Sequence, residues 1–124
     1  MTGKGFRELE VWRLAMVLVE KCYEITRRLP IEERYGLSGQ IRRAAVSIPA
    51  NVAEGHNRRL PKLYRNHVNI ALGSQAELET LLELTVRLKL LDTGAIGEAN
   101  GLVVRVGQML HALQRSIKLS PSPP

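Results

Sequence analysis

Apolar residues recur at helical spacing in the first half of the chain and predict two helices there. The first helix is predicted from about Leu9 to Leu29, just before Pro30. It carries two neighbouring apolar stripes, one of Leu9, Trp12, Met16, Val19 and Tyr23 and one of Leu14, Leu18, Cys22, Ile25 and Leu29. The second helix, ending near Gly55, is marked by one face of Leu37, Ile41, Ala44, Ile48 and Val52. The doubled stripe predicts that the first helix is covered on two sides.

Two further helices are predicted in the second half. The third opens at Pro61, because proline is favoured in a first turn, and runs to about Leu91 before Gly94. Its seam can be read as heptads through Leu60, Leu63, His67, Ile70, Ser74, Glu77, Leu81, Leu84, Leu88 and Leu91. The fourth has a seam of Ile96, Ala99, Val103, Val106, Leu110, Leu113 and Ile117.

Short connections between four amphipathic helices predict an all-α, antiparallel, up-down-up-down four-helix bundle. Residues 1–119 are assigned to this single domain, and the Pro/Ser-rich segment Ser120–Pro124 is expected to be a disordered tail. A glycine inside a helix usually marks a close backbone approach, so Gly73 is predicted to lie where two helices cross.

Composition narrows the surroundings in which the bundle is expected to work. Hydrophobic residues make up 44% of the chain and aromatic residues only 4%, so the core is expected to be aliphatic. A single cysteine, Cys22, does not fit a disulfide framework. Neither an export signal nor an uncharged apolar stretch of about 20 residues is found. We therefore expect a cytoplasmic protein without a membrane partner.

The formal net charge of +6 indicates an affinity for polyanions. The densest basic run consists of Arg42, Arg43, Arg58, Arg59, Lys62 and Arg65, with Glu54 as the only acid between its ends. If the connection between the second and third helices folds back, these side chains share one surface that contacts phosphates. The alternative is a solvated face in which Arg42 or Arg43 pairs with Glu54 or Glu77.

A second group of polar residues, Asn51, Glu54, Ser74 and Glu77, borders the predicted seams of the second and third helices. Two carboxylates near an amide can do acid–base work, but no nucleophile paired with a base accompanies them. We therefore interpret the group as a structural polar network that fixes helix register. The Glu-x-x-His spacing of bundle metal sites is missing, so no catalytic site, metal or cofactor is predicted.

Three stretches resemble a known family. They are YGLSGQIRRAAVSIPANVAEG at residues 35–55, FRELEVW at residues 6–12 and IALGSQAELE at residues 70–79. Together they resemble the four-helix-bundle family encoded by intervening sequences within bacterial 23S ribosomal RNA genes. The resemblance implies a ring-like homopentamer. It also implies kinship with accessory proteins of diversity-generating retroelements, which bind nucleic acid and a reverse transcriptase.

The sequence thus favours a non-enzymatic, homo-oligomeric protein that binds structured RNA or another nucleic acid through its basic run, with a reverse transcriptase or another protein as a further partner. A protein–protein scaffold or adaptor, in which the basic charge serves only solubility, is the alternative.

Overall fold

The computed structural model describes residues 5–119, which form four long helices with short connections. The helices are α1 at Glu10–Arg27, α2 at Leu37–Arg58, α3 at Pro61–Arg87 and α4 at Thr93–Ser116. Single 3-10 turns at Phe6–Glu8 and Ile31–Glu33 precede α1 and α2. These residues contain no strand, so the predicted all-α class is confirmed. The predicted tail, residues 120–124, lies outside the described residues.

The four helices are arranged as a square in which each helix packs on its neighbours in the chain and α4 packs back on α1. Within residues 5–119, no Cα of α1 comes within 8 Å of α3, and none of α2 within 8 Å of α4. Gly55 of α2 lies against His67 of α3, whereas the earlier Ser47 contacts the later Ser74. Because the numbering runs in opposite directions across this contact, α2 and α3 are antiparallel. The predicted four-helix bundle is confirmed.

The core is aliphatic, and in three helices the predicted stripes supply it. The α2 face and the central part of the α4 seam are buried as predicted. In α1 the stripe through Leu18, Cys22 and Ile25 is buried, while the other stripe is only partly covered and its Met16 is 42% exposed. None of the helices in residues 5–119 combines the length and the apolar character that a bilayer crossing requires.

The predicted seam of α3 is wrong by one residue. Of its ten positions only Leu81 is buried, and its leucines and isoleucine are largely exposed, with Ile70 at 51% and Leu88 at 60%. The residues that α3 buries are instead Val68, Ala71, Gln75, Leu78, Leu81, Leu82 and Thr85. A shift of one residue turns a helix by about 100°, so the two sets lie on different faces. The core-facing set contains three leucines beside Gln75 and Thr85, whereas the predicted seam contains six leucines and Ile70, which made the seam the more conspicuous stripe.

The close approach of two helices that was predicted at Gly73 does not occur there. Gly73 is exposed in the middle of α3, and apart from its own helix none of residues 5–119 lies within 4 Å of a Cβ built on it. At Gly55 such a Cβ would lie 2.7 Å from the Cβ of His67 and 3.2 Å from the carbonyl oxygen of Tyr64. Between α2 and α3, Gly55 rather than Gly73 is therefore the glycine at which the helices leave no room for a side chain.

These two glycines give a matched pair of substitutions. We expect Gly55→Ala to lower the free energy of unfolding by about 1–3 kcal/mol, because the new methyl group meets rigid neighbours on α3. We expect Gly73→Ala to raise it by about 0.5–1 kcal/mol, because alanine is the better helix former in open space. Urea denaturation of both variants measures the difference, and equal effects would contradict the assignment of the crossing to Gly55.

Candidate nucleic-acid interface

The structure separates the basic run into two groups at opposite ends of α2. Arg42 and Arg43 lie near the start of this helix, and Arg58 is its last residue. Sixteen residues of continuous helix place Arg42 and Arg58 about 24 Å apart along the axis, at about 1.5 Å per residue. The expectation that all six cations share one surface is therefore wrong, because the chain folds back only after Arg58.

The second group surrounds the tight turn between α2 and α3. Arg58 ends α2, Arg59 adopts a left-handed conformation with φ of 60° as its C-cap, and α3 begins at Pro61. Arg58, Arg59 and Lys62 are exposed, and Arg65 is half-buried one turn into α3. The turn thus gathers the four cations of this group at one end of the bundle.

The C-terminal end of α4 adds two cations that the sequence interpretation did not include. A groove of about 440 Å³ runs between the α2–α3 turn and this end of α4, and Arg59 and Lys118 both line it. Arg115 is exposed in the last turn of α4. No acid follows Glu98 in the chain, which is the sequence signal that identifies these residues. We call the following set the basic end: Arg58, Arg59, Lys62, Arg65, Arg115 and Lys118.

Few acids oppose the basic end. Glu54 is the only acid among residues 34–76, and its Oε1 atom lies 3.4 Å from Nη2 of Arg58. Both partners are exposed, so this i,i+4 pair holds the two side chains only weakly. The start of α1 lies at the same end and contributes Arg7 and Arg13 together with Glu8 and Glu10, which leaves the charge balance unchanged.

The first basic group is engaged with α1. The guanidinium of Arg42 lies 4.3 Å from the ring centroid of Tyr23, and its Nε donates a hydrogen bond of 2.7 Å to Oγ1 of Thr26. Arg43 is exposed, and its guanidinium lies beside Gly39. Neither residue pairs with Glu54 or Glu77 as the alternative interpretation supposed, since no such ion pair is found in residues 5–119.

A chain of half-buried polar groups crosses the contact between α2 and α3. Oγ of Ser47 accepts hydrogen bonds from Oγ of Ser74 at 2.8 Å and from Nδ2 of Asn51 at 3.0 Å. Oδ1 of Asn51 lies 3.0 Å from Nδ1 of His67. Because the amide nitrogen of Asn51 donates to Ser47, its oxygen is the acceptor, which assigns the donated proton to Nδ1 of His67.

The network differs in membership from the four residues predicted for it. Asn51 and Ser74 belong to it, and Glu54 borders it, with Oε1 at 4.0 Å from Nε2 of His67. Glu77 is exposed and takes no part in these contacts, so its inclusion was wrong. Ser47 and His67 were missed. Ser47 lies one helical turn before Asn51, and this i,i+4 spacing is the signal that was available.

The hydrogen bonds of the network run between helices and not from a hydroxyl to the imidazole. The hydroxyl of Ser47 contacts Ser74 and Asn51, and within residues 5–119 no hydroxyl bonds to His67. Cys22 is fully buried in the core, and burial raises the pKa of its thiol to about 12, which keeps it protonated at neutral pH. Among residues 5–119, no cluster of three or more His, Cys, Asp or Glu side chains is placed to hold a metal ion.

Comparison with known protein families shows which family the chain belongs to. Residues 7–112 match the family model described as 23S rRNA-intervening sequence protein. The chain belongs to this family. The match to the 23S rRNA-intervening sequence proteins spans both basic groups in α2 and α3, whereas Arg115 and Lys118 lie beyond its last residue.

A solved structure supports the fold. The bundle is similar to the 1.70 Å crystal structure of a protein of unknown function from the S23 ribosomal protein family of Bacteroides thetaiotaomicron. The TM-score is 0.79 and the sequence identity is 23%, and the match covers 86% of this chain and 96% of that chain. No curated protein matches the sequence. At this identity the solved structure supports the fold and carries no information on function.

The polar network can be tested through stability. We expect Asn51→Ala to lower the free energy of unfolding by about 1–3 kcal/mol, because it leaves Nδ1 of the half-buried His67 without its acceptor and removes one of the two hydrogen bonds to Oγ of Ser47. We expect Glu77→Ala to change it by no more than about 0.5 kcal/mol, since that side chain is exposed. Urea denaturation at neutral pH measures both, and a loss at Glu77 as large as that at Asn51 would contradict this description of the network.

Proposed function

We propose that this protein is a non-enzymatic, homo-oligomeric, cytoplasmic nucleic-acid-binding protein that engages structured RNA through the basic end. The observation that carries the proposal is the excess of positive charge at this end. Six cations face Glu54 as the one uncompensated acid, because the two arginines and two glutamates at the start of α1 cancel one another. The family name refers to 23S rRNA, and this supports RNA as the polyanion.

The charges at the basic end are available to phosphates. Within residues 5–119, Arg59, Lys62 and Lys118 form no ion pair with an acid. Exposed and unpaired cations bind a phosphate backbone by releasing its counterions, without reading base sequence. An A-form RNA helix presents phosphates of both strands to such a surface, which suits recognition by shape.

The outer face of α3 supports assembly. Leu63, Ile70 and Leu84 lie on one side of the helix at spacings of seven and fourteen residues, with Glu77 between Ile70 and Leu84, and are 37%, 51% and 39% exposed. Leu88 continues the same side and is 60% exposed. We call these four residues the outer stripe of α3. Exposed apolar residues on one helix face are typical of a surface that another chain covers.

Assembly strengthens the nucleic-acid proposal. A single basic end makes few phosphate contacts, and each surface contact in water is weak. When copies of the end are held together, the second contact to the same RNA becomes intramolecular, so modest affinities combine into avidity. The pentamer implied by the family resemblance is the assembly that we propose.

The second candidate function is a protein–protein scaffold or adaptor. The outer stripe of α3 favours it, because an apolar face of this kind can bind a different protein as well as a second copy. In that case the basic charge serves solubility alone. The two candidates differ in whether the protein binds RNA with a steep dependence on salt.

The basic end is tested with Lys62→Glu. We expect this variant to bind an RNA hairpin about tenfold more weakly at low salt, and the slope of log K against log salt to fall by about 1, because one phosphate contact is lost. Glutamate is favourable in the first turn of α3, so folding is retained. Fluorescence polarisation of a labelled hairpin across a salt series measures both effects.

Arg105→Glu is the matched control. It makes the same change of charge on the exposed middle of α4, away from the basic end. We expect its affinity to stay within about twofold of the unsubstituted protein. Equal losses in the two variants would show that only net charge matters, and no binding at low salt by the unsubstituted protein would leave the scaffold as the better candidate.

The outer stripe is tested by light scattering coupled to size exclusion. We expect the unsubstituted protein to elute as a pentamer of about 70 kDa, five times the 13.9 kDa chain. Ile70→Glu together with Leu84→Glu is expected to give monomers, since two charges would enter an apolar contact. Val104→Glu, at an apolar residue of α4 that is 43% exposed, is the control and is expected to leave the mass unchanged. A monomeric unsubstituted protein would contradict the assembly.

A further inference from the structure

A second pocket lies at the end of the bundle opposite the basic end, beside the connection between α1 and α2. Its volume is about 310 Å³, and its charged lining residues are Arg27, Arg34 and Arg42. Thr26 and Ser38 add two hydroxyl groups to the lining, and none of the carboxylates in residues 5–119 lines it. Three guanidinium groups around one cavity make a strongly positive site, since each carries a permanent charge.

Ser38 is the least expected member of this lining. The residue is 7% exposed, and its side chain forms no hydrogen bond with any of residues 5–119. Its hydroxyl is therefore free to bond to a group that enters the pocket. Thr26 behaves differently, because its hydroxyl already donates to the carbonyl oxygen of Tyr23 and accepts from Arg42.

The first turn of α2, which contains Ser38, offers further backbone donors beside the pocket. The N–H of Leu37 donates to the Glu33 carboxylate and that of Gln40 to the carbonyl oxygen of Gly36. The N–H groups of Ser38 and Gly39, which follow Leu37 and precede Gln40, have no acceptor within residues 5–119. The first turn of α2 contains no acid, and the Glu33 carboxylate bonds to the N–H of Leu37 at the positive end of the helix dipole.

Arg42 is held in place before any ligand arrives. The stacking on Tyr23 and the hydrogen bond from Nε to Thr26 fix its guanidinium and leave its two terminal nitrogens as donors. Arg27 and Arg34 are exposed and form no ion pair with any described acid. The site therefore combines one fixed guanidinium with two that can close over a ligand.

We propose that this pocket binds a phosphate group, either as inorganic phosphate or as the terminal phosphate of a nucleotide or nucleic-acid chain. Guanidinium groups match phosphate oxygens in geometry and charge, and the unpaired hydroxyl and the backbone N–H groups supply further donors to a tetrahedral anion. The site is separate from the basic end, so it does not depend on the function proposed above.

The test uses amide chemical shifts of the full chain titrated with inorganic phosphate against chloride at matched ionic strength. We expect saturable shifts at Ser38 and Gly39 that chloride does not produce. We expect Arg34→Gln to weaken phosphate binding about tenfold, because a charge-assisted contact is lost, and Ser38→Ala to weaken it about threefold. Arg105→Gln, on the exposed middle of α4 and outside both sites, is the matched control and is expected to stay within about twofold.

A second arm identifies the source of the phosphate. A short oligonucleotide carrying a 5′-phosphate is compared with the same oligonucleotide carrying a 5′-hydroxyl, as competitors of inorganic phosphate. Stronger competition by the 5′-phosphate indicates a chain end as the ligand, and equal competition indicates a small free phosphate compound. The proposal is overturned if phosphate shifts neither amide, or if Arg34→Gln and Ser38→Ala leave the affinity unchanged. The phosphate titration of the pocket is independent of the RNA-binding test with Lys62→Glu, so either proposal can fail while the other stands.

Discussion

Gly55 allows α2 and α3 to approach more closely than any side chain would permit, and much of the molecule follows from this contact. The helix pair is the most extensive in the bundle. Its register is fixed by a rigid contact to His67 and by the hydroxyl pair of Ser47 and Ser74. Hydrogen bonds at such a seam add specificity, because they are satisfied only when the two helices stand at one relative height.

The same register determines which side chains face outward. With Val68, Ala71 and Gln75 turned to the core, the outer stripe of α3 must face away from it. The tight turn that joins α2 to α3 places Arg58, Arg59 and Lys62 next to one another at one end. One helix contact therefore positions both surfaces on which the proposed function depends, the basic end and the outer stripe.

The sequence predicted the helix count, the bundle and the buried faces of α2 and α4, each of which carries one apolar stripe. For α1 it predicted two covered stripes, and only the stripe through Leu18, Cys22 and Ile25 is buried. It failed at α3, where the exposed stripe is richer in leucine and isoleucine than the buried stripe, which contains Gln75 and Thr85. Periodicity reports that a stripe exists, but it does not report which of two stripes meets the core.

The sequence predicted four of the six residues of the basic end and missed Arg115 and Lys118, because proximity in sequence is not proximity in the fold. Arg42 and Arg58 are close in sequence, but a helix keeps them apart, whereas Lys118 is distant in sequence and shares a groove with Arg59.

Gly73 was preferred over Gly55 because a glycine in the middle of a predicted helix stands out, while one at its predicted end is expected as a stop. Which glycine meets a neighbour depends on tertiary packing, which one sequence does not contain.

The return of α4 onto α1 has a consequence for how the domain comes apart. In a linear array of helices, a terminal helix has one neighbour and frays by breaking a single interface. Here α1 packs on α2 and α4, and α4 packs on α3 and α1, so each terminal helix is held on two sides. Detaching either one opens two interfaces and exposes the core on both, which makes the four helices a single cooperative unit despite their simple order in the chain.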